Sequence, residues 1–319
     1  MKLAALLLIA LSLDAQTAAE LAAKGSQYLE ANRPAAALDA FTQSLRLNPA
    51  EFEALSGIGF LLYSQEKFKD ARGYLEKAVA VRPQSFQANF LLGATLVHLR
   101  ETKLAIARLR EAVTRNPANR DARNLLAAQY IETRQFKEAI VLLQAIAETP
   151  PFDEETHLLL IEARQKSGDS ANAFALAKKA ATRFPSSAQV LTWLGFQLQF
   201  AGRYEEAKQP LEQAILLDPK FPMALQVLGE VFLKQEDFKE AAKWLKRADE
   251  KLPGDTETLL SLARAQAESG DTTQALQTLQ RAITKNDPRV HFQLSRLYYR
   301  LGDEAKAKEH AELSVRLRQ

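Results

Sequence analysis

LRLNPAEFEAL, residues 45–55, joins a leucine-bearing helical stretch that stops at Asn48-Pro49 to a second apolar stretch that starts at once. The same phrase returns as AVRPQSFQA (80–88), TRNPANRDA (114–122) and LLDPKFPMA (216–224). Proline ends a helix because it lacks an N–H and disfavours helical geometry in the residue before it. The prolines of this phrase fall at Pro49, Pro83, Pro117, Pro151, Pro185, Pro219 and Pro253, each 34 residues after the last. Ala37, Ala71, Ala105, Ala139, Ala173, Ala207, Ala241 and Ala275 keep the same step. A third series runs Gly25, Gly59, Gly93, Ala127, Ile161, Gly195, Gly229 and Ala263. Three series sharing one period make an internal repeat, and a repeat of this length sets the architecture before any local reading.

With the proline at position 32, the first repeat starts at Ala18. Positions 4, 7, 8 and 11 carry apolar or small residues, the spacing of one helix face; in the sixth repeat they are Leu191, Leu194, Gly195 and Leu198. A polar break follows near position 15, glycine at Gly168, Gly202 and Gly270. A second helix then places Ala207, Leu211 and Ala214 on one face, at positions 20, 24 and 27. Small residues at 8, 20 and 27 let two antiparallel backbones approach closely, so Gly195 and Ala207 are expected to face each other.

This residue set resembles the tetratricopeptide repeat: a small residue at 8, alanine at 20, a large apolar residue at 24 (Phe41, Leu75, Leu109, Leu143), a small residue at 27 and proline at 32. Ile146 at position 27 and Ile161 at position 8 depart from it. At the last junction Ala275 to Ala307 is 32 residues, and Lys285-Asn286-Asp287-Pro288 replaces the regular ending. The resemblance implies an all-α solenoid, a right-handed superhelix of about nine 34-residue helix-turn-helix repeats, starting near residues 18, 52, 86, 120, 154, 188, 222, 256 and 288. It also implies a groove lined by the first helix of each repeat, where such proteins bind peptides or partner proteins.

In the family, positions 2, 5, 9, 12 and 13 face that groove. Carried over, they give Phe60 and Tyr63 in the second repeat, Phe90 and His98 in the third, and Phe196 and Phe200 in the sixth, with Trp193 beside them. The fourth and fifth repeats contribute Asp121, Asn124, Glu132, Glu155, Glu162 and Lys166. Arg264, Arg296 and Arg300, joined by Arg289, Phe292 and Tyr299, make a basic end expected to favour acidic segments or a terminal carboxylate. Family members that dock chaperones grip a carboxylate with lysine and asparagine at positions 5 and 9. Here those pairs are Ala22/Ser26, Ser56/Phe60, Phe90/Ala94 and Asn124/Ala128, so that clamp is missing.

Composition narrows the function classes. Of 319 residues, 42 are Lys or Arg and 39 Asp or Glu, with both signs interspersed, which argues against a nucleic-acid binder. There is no cysteine, which excludes disulfides, thiolate metal sites and cysteine nucleophiles. His98, His157, His291 and His310 lack metal-ligand spacing, and Gly57-Ile58-Gly59-Phe60 lacks the strand and third glycine of a phosphate loop. No catalytic residue, cofactor or metal site is assigned, and an all-repeat chain leaves no room for a catalytic domain.

MKLAALLLIALSLDAQ, residues 1–16, pairs one lysine with an apolar run from Leu3 to about Leu13 and a small residue, Ala15. This matches a secretory signal peptide of residues 1–15, cleaved before Gln16, and the run is too short to span a hydrocarbon core of roughly 30 Å. The sequence therefore predicts an exported, periplasmic or secreted scaffold, residues 16–319, that binds a protein or peptide partner in its groove. The alternative is an envelope or exopolysaccharide assembly or carrier factor holding a non-protein ligand in the same place.

Overall fold

The computed structural model describes residues 17–283 and 286–318; the signal segment expected at 1–15 lies outside the described residues. Among the described residues the fold is all α, with no strand. The helices are α1 (17–30), α2 (Pro34–Leu47), α3 (Phe52–Ser64), α4 (Phe68–Val81), α5 (Phe86–His98), α6 (Thr102–Arg115), α7 (Arg120–Glu132), α8 (Phe136–Ala147) and α9 (Glu154–Lys166). They continue with α10 (Ser170–Arg183), α11 (Ala188–Phe200), α12 (Tyr204–Leu217), α13 (Pro222–Lys234), α14 (Phe238–Lys251), α15 (Thr256–Glu268), α16 (Thr272–Ala282), α17 (Pro288–Arg300) and α18 (Glu304–Arg316). Odd-numbered helices open the repeats and even-numbered helices close them.

Both ends of each repeat follow from local chemistry. The residues preceding six of the repeat prolines (Asn48, Arg82, Asn116, Phe184, Asp218, Leu252) cap their helices with φ between −123° and −135°, as the following ring demands. Two residues beyond the proline, Ser85, Asn119, Ser187 and Asp255 cap the next helix, each side chain accepting a hydrogen bond from a first-turn amide. Between the helices of a repeat, position 15 is always left-handed, with φ from 53° at Asn32 to 96° at Gly270. The amide after it reaches back to close the preceding helix, as in Lys67 N to Leu62 O and Arg203 N to Leu198 O. Glu66, Arg100, Arg134 and Glu236 adopt this conformation without being glycine, at a cost of roughly 1–2 kcal/mol each that the closing hydrogen bonds offset.

The described residues fall into two compact units that divide between Ala163 and Arg164. In the first, α3, α5 and α7 pack on their own second helices α4, α6 and α8, the second helices α2, α4 and α6 each pack on the next first helix, and α3 touches α5, which touches α7. The second unit repeats the scheme, with α11, α13, α15 and α17 in successive contact and α10, α12, α14 and α16 each packed on the following first helix. Each unit is a stack in which the first helices form a continuous layer.

The core adds a partner to one expectation. A Cβ built on Gly195 would lie 2.4 Å from Leu211 Cγ, so the side chain nearest to position 8 is that of position 24, in the cluster that also holds Ala207 at position 20. Gly59 faces Leu75, Gly93 faces Leu109 and Gly229 faces Leu245 in the same way, and Gly25 and Gly57 both face the Phe41 ring. These large side chains and the position-20 alanines from Ala37 to Ala275 are fully buried. The fifth repeat reverses the sizes, with Ile161 at position 8 and Ala177 at position 24, and each is fully buried. Serine replaces the small apolar residue at position 27 twice. Ser44 donates to Ala18 O and Ser314 to Pro288 O, both at 2.7 Å. Each bond runs from position 27 to position 1, which sets the start of the ninth repeat at Pro288 despite the shortened junction.

Candidate functional site

A first helix turns positions 4, 7, 8 and 11 toward the core, and the structure shows where the remaining positions go. Position 5 is drawn inward: Ser56, Asn124 and Thr192 are buried. Phe90, also at position 5, is half-buried and stacks on Phe86 with centroids 5.7 Å apart. At positions 9, 12 and 13, Phe60, His98, Phe200, Arg264, Arg296, Tyr299 and Arg300 are exposed, whereas Ala94, Ile131 and Leu233 are buried. Phe200 is 62% accessible and Tyr299 72%.

Tyr63 and His98, from adjacent repeats, come together: the Tyr63 hydroxyl is 3.4 Å from His98 Nε2. Phe68 completes the cluster, stacked on the His98 ring at 4.1 Å and edge-on to Tyr63 at 5.6 Å. Sequence reasoning missed Phe68 because it opens the second helix, outside the groove positions. Trp193 meets Phe196 edge-to-face at 5.5 Å, and both are half-buried.

The polar middle of the first compact unit is structural. Asn124 donates to Asp153 at 2.9 Å and to Glu155 at 3.3 Å, and accepts from the Thr156 hydroxyl at 2.9 Å. Burial alone would raise the Asp153 carboxyl, but hydrogen bonds from Thr156 and Asn124, with the Arg120 charge, hold it below the usual aspartate value.

The arginines of the second compact unit divide into paired and unpaired. Arg300 meets Glu268 at 2.8 Å, and Arg289 meets Glu257 and Asp287, each at 2.6 Å. The bond from Arg289 holds the Asp287 carboxyl below its ordinary range. Asp303, a conceivable partner for these arginines, pairs with Lys306 at 3.0 Å instead. Among the described residues no ion pair or hydrogen bond engages the guanidinium of Arg264 or Arg296. The two share a concavity of about 410 Å³ with Glu257, Glu268 and Phe292, between α15 and α17. Arg296 also lines an open concavity of about 990 Å³ with Tyr299, Arg300 and α18.

Tetratricopeptide-repeat family profiles match residues 28–93, 96–160, 198–256, 232–291 and 288–319. The chain belongs to the tetratricopeptide-repeat family. Solved structures agree in fold. A tetratricopeptide repeat protein from Parabacteroides merdae superposes with a TM-score of 0.59 at 16% identity, over 78% of this chain and 99% of that one. The Cut9 and Hcn1 hetero-tetramer of APC/C gives 0.62 at 18% identity, over 88% and 56%. YrrB, described as a TPR protein with an unusual peptide-binding site, gives 0.52 at 21% identity, over 59% and 97%. No curated protein matches the chain in sequence. Among the described residues no helix is long and apolar enough to cross a membrane, and no group of three or more His, Asp or Glu could hold a metal ion.

The histidines of this tetratricopeptide-repeat protein serve its packing more than its surface. His157 is fully buried, with Nδ1 2.7 Å from Asp153 O. His291, buried on α17, and His310 on α18 approach Nδ1 to Nδ1 at 3.0 Å, so one ring donates and the other accepts. Tyr298 stacks on His310 at 5.5 Å. Burial, then the neighbouring His291, lower the His310 pKa, against a smaller opposing pull from Glu309. A histidine depressed in the folded state stabilises the fold most above its unfolded value of about 6.5 and loses that contribution as pH falls through it. The His310 ring is therefore expected to titrate below the ordinary histidine value by NMR. The melting temperature should decline on acidification from pH 7.5 toward 5, and less so in His310→Phe. A His310 midpoint above the ordinary value would contradict this geometry.

Proposed function

We propose that this protein is an exported, non-catalytic scaffold that holds partner-protein segments against the first-helix layers of its compact units. The observation that carries the reading is the set of large side chains left exposed on those layers: Phe60 in the first unit, and Phe200 and Tyr299 in the second, with the unengaged Arg264 and Arg296. Aromatics and arginine are the residue types that most often dominate interface energies. Family membership points the same way, since tetratricopeptide repeats generally serve as protein-interaction scaffolds, and YrrB offers a peptide-binding example on a related fold. Export rests on the lysine-led apolar segment ending at Ala15.

The test uses the mature chain, beginning at Gln16, as bait in envelope extract. A protein partner should be captured, and capture should vanish when the extract is treated with protease beforehand. Phe60→Ser and Phe200→Ser should each weaken capture by about tenfold, the scale of a hot-spot residue, while melting changes little in Phe200→Ser, whose ring is already 62% accessible. Capture that survives protease, or that ignores both substitutions, would defeat the proposal; survival after protease would point to a glycan or acyl ligand.

A further inference from the structure

The ninth repeat breaks the rule that packs the others. Wherever position 8 is glycine, a position-24 side chain fills the space beside it: Phe41, Leu75, Leu109, Leu211 or Leu245. In the ninth repeat position 8 is Ser295 and position 24 is Ala311, so neither is large. Helices α17 and α18 still pack together, and the open concavity of about 990 Å³ lies along them. Buried Ala307 and half-buried Ser295 and Ala311 form its base, and exposed Arg296, Tyr299 and Lys308 form its rim. The missing leucine leaves an apolar hole at a place where seven of the preceding repeats carry phenylalanine or leucine.

The charge around that hole is mixed, with Glu304 on its lining and Glu257 and Glu268 in the adjoining concavity, but the cations outnumber the carboxylates free to meet them. With Arg289 and Arg300 already held by carboxylates, Arg264, Arg296 and Lys308 keep cationic ends that engage no described residue. We infer that this concavity and the two unengaged arginines beside it form a docking site for an acidic segment of a partner protein. Its aliphatic or aromatic side chain occupies the place of the missing position-24 residue, and its flanking carboxylates meet Arg296 and Arg264. The inference rests on the scaffold reading above and specifies the ligand of one end. Arginine suits the task because its planar fork can take a carboxylate through two charge-assisted hydrogen bonds.

Other anions fit less well. Glu257 and Glu268 share the concavity of Arg264 and Arg296, so a dense polyanion would meet carboxylates as well as guanidinium groups. A fatty acid has an apolar tail for the hole but one carboxylate for two arginines on separate helices. A peptide can place two carboxylates on either side of one apolar side chain.

A fluorescein-labelled synthetic peptide alternating glutamate and phenylalanine, titrated by anisotropy, tests the site. It should bind the mature chain, and a copy with glutamine for every glutamate should bind at least about tenfold more weakly, the scale of one charge-assisted pair. Arg264→Gln with Arg296→Gln should cause a similar loss and flatten the salt dependence. Ala311→Leu should fill the hole, weakening binding without lowering the melting temperature. Arg115→Gln, on a remote surface, should change nothing. Parent-like binding by either the double-arginine variant or Ala311→Leu would overturn the inference, as would alginate or oleate displacing the probe more effectively than unlabelled peptide. Failure of the parent to bind the probe while it still captures its envelope partner would remove this site and leave the scaffold reading standing. Probe binding without any envelope capture would do the reverse.

Discussion

Phe41→Ala is expected to cost about 3–5 kcal/mol, the usual loss for removing a fully buried phenylalanine. The ring has no accessible surface, and its atoms lie 2.5 Å from where a Gly25 Cβ would be and 2.4 Å from that of Gly57. Only glycine at both places admits it, so the ring is the contact between α2 and the helices on either side. Ala22, Ala37, Ala54, Ile58 and Leu61 complete the buried cluster, and its three alanines are too short to close over the gap. In a solenoid each repeat is stabilised by its neighbours, so the loss should stay local. Urea unfolding followed by circular dichroism should show an early phase of partial amplitude, with hydrogen exchange accelerated in α1 and α2 and little changed beyond α5. A parent-like single transition would mean that Phe41 does not hold the first repeats together.

Leu211→Ala should cost about 2–5 kcal/mol by the same cavity argument, and it offers a sharper test because its partner is known. Gly195 faces Leu211 so closely that Gly195→Val must push the leucine aside, at roughly 1–3 kcal/mol. Helix propensity alone favours the opposite sign, since glycine inside a helix is about 1 kcal/mol worse than alanine. A net loss therefore reports the contact. Combining the two changes returns side-chain volume to the gap from the other helix. The double variant Gly195→Val with Leu211→Ala should be more stable than the sum of the single losses by about 1 kcal/mol or more. The fifth repeat carries this exchange of sizes in its own sequence, with Ile161 and Ala177. Simple additivity in thermal or urea melts would show that positions 8 and 24 are independent.

The pairing of positions 8 and 24 also marks the limit of what the sequence reveals. The 34-residue step was legible because proline, glycine and alanine act through backbone geometry and close approach, which leave the same mark in every repeat. The partner of Gly195 was not, because a period says which face a residue occupies and not which facing side chain leans over it. Position 15 was legible at Gly168 and Gly202 and hidden at Arg100 and Arg134, where hydrogen bonds from the next amide hold a conformation those residues would not choose alone. On the candidate face, the outward direction of Phe60, Phe200 and Arg296 followed from the repeat register. The inward turn of Asn124 depended on Asp153 and Thr156, 29 and 32 residues later. The pairing of Arg300 with Glu268 spans 32 residues between adjacent first helices, and such cross-repeat partners are set by side-chain reach. The hole at Ala311 was not legible, because a repeat register started at 288 shows small residues at positions 8 and 24 but not whether the facing helices close over them.

Hydrogen exchange on the mature chain, alone and with its captured partner, tests the central claim most directly. Backbone amides report which helices a partner covers without any substitution to disturb the fold. The added protection is expected on the first helices, chiefly α3, α5, α11, α15 and α17, with α4, α12 and α14 little changed. Protection concentrated on the even-numbered helices, or spread evenly over both sets, would contradict a partner held on the first helices of the two units.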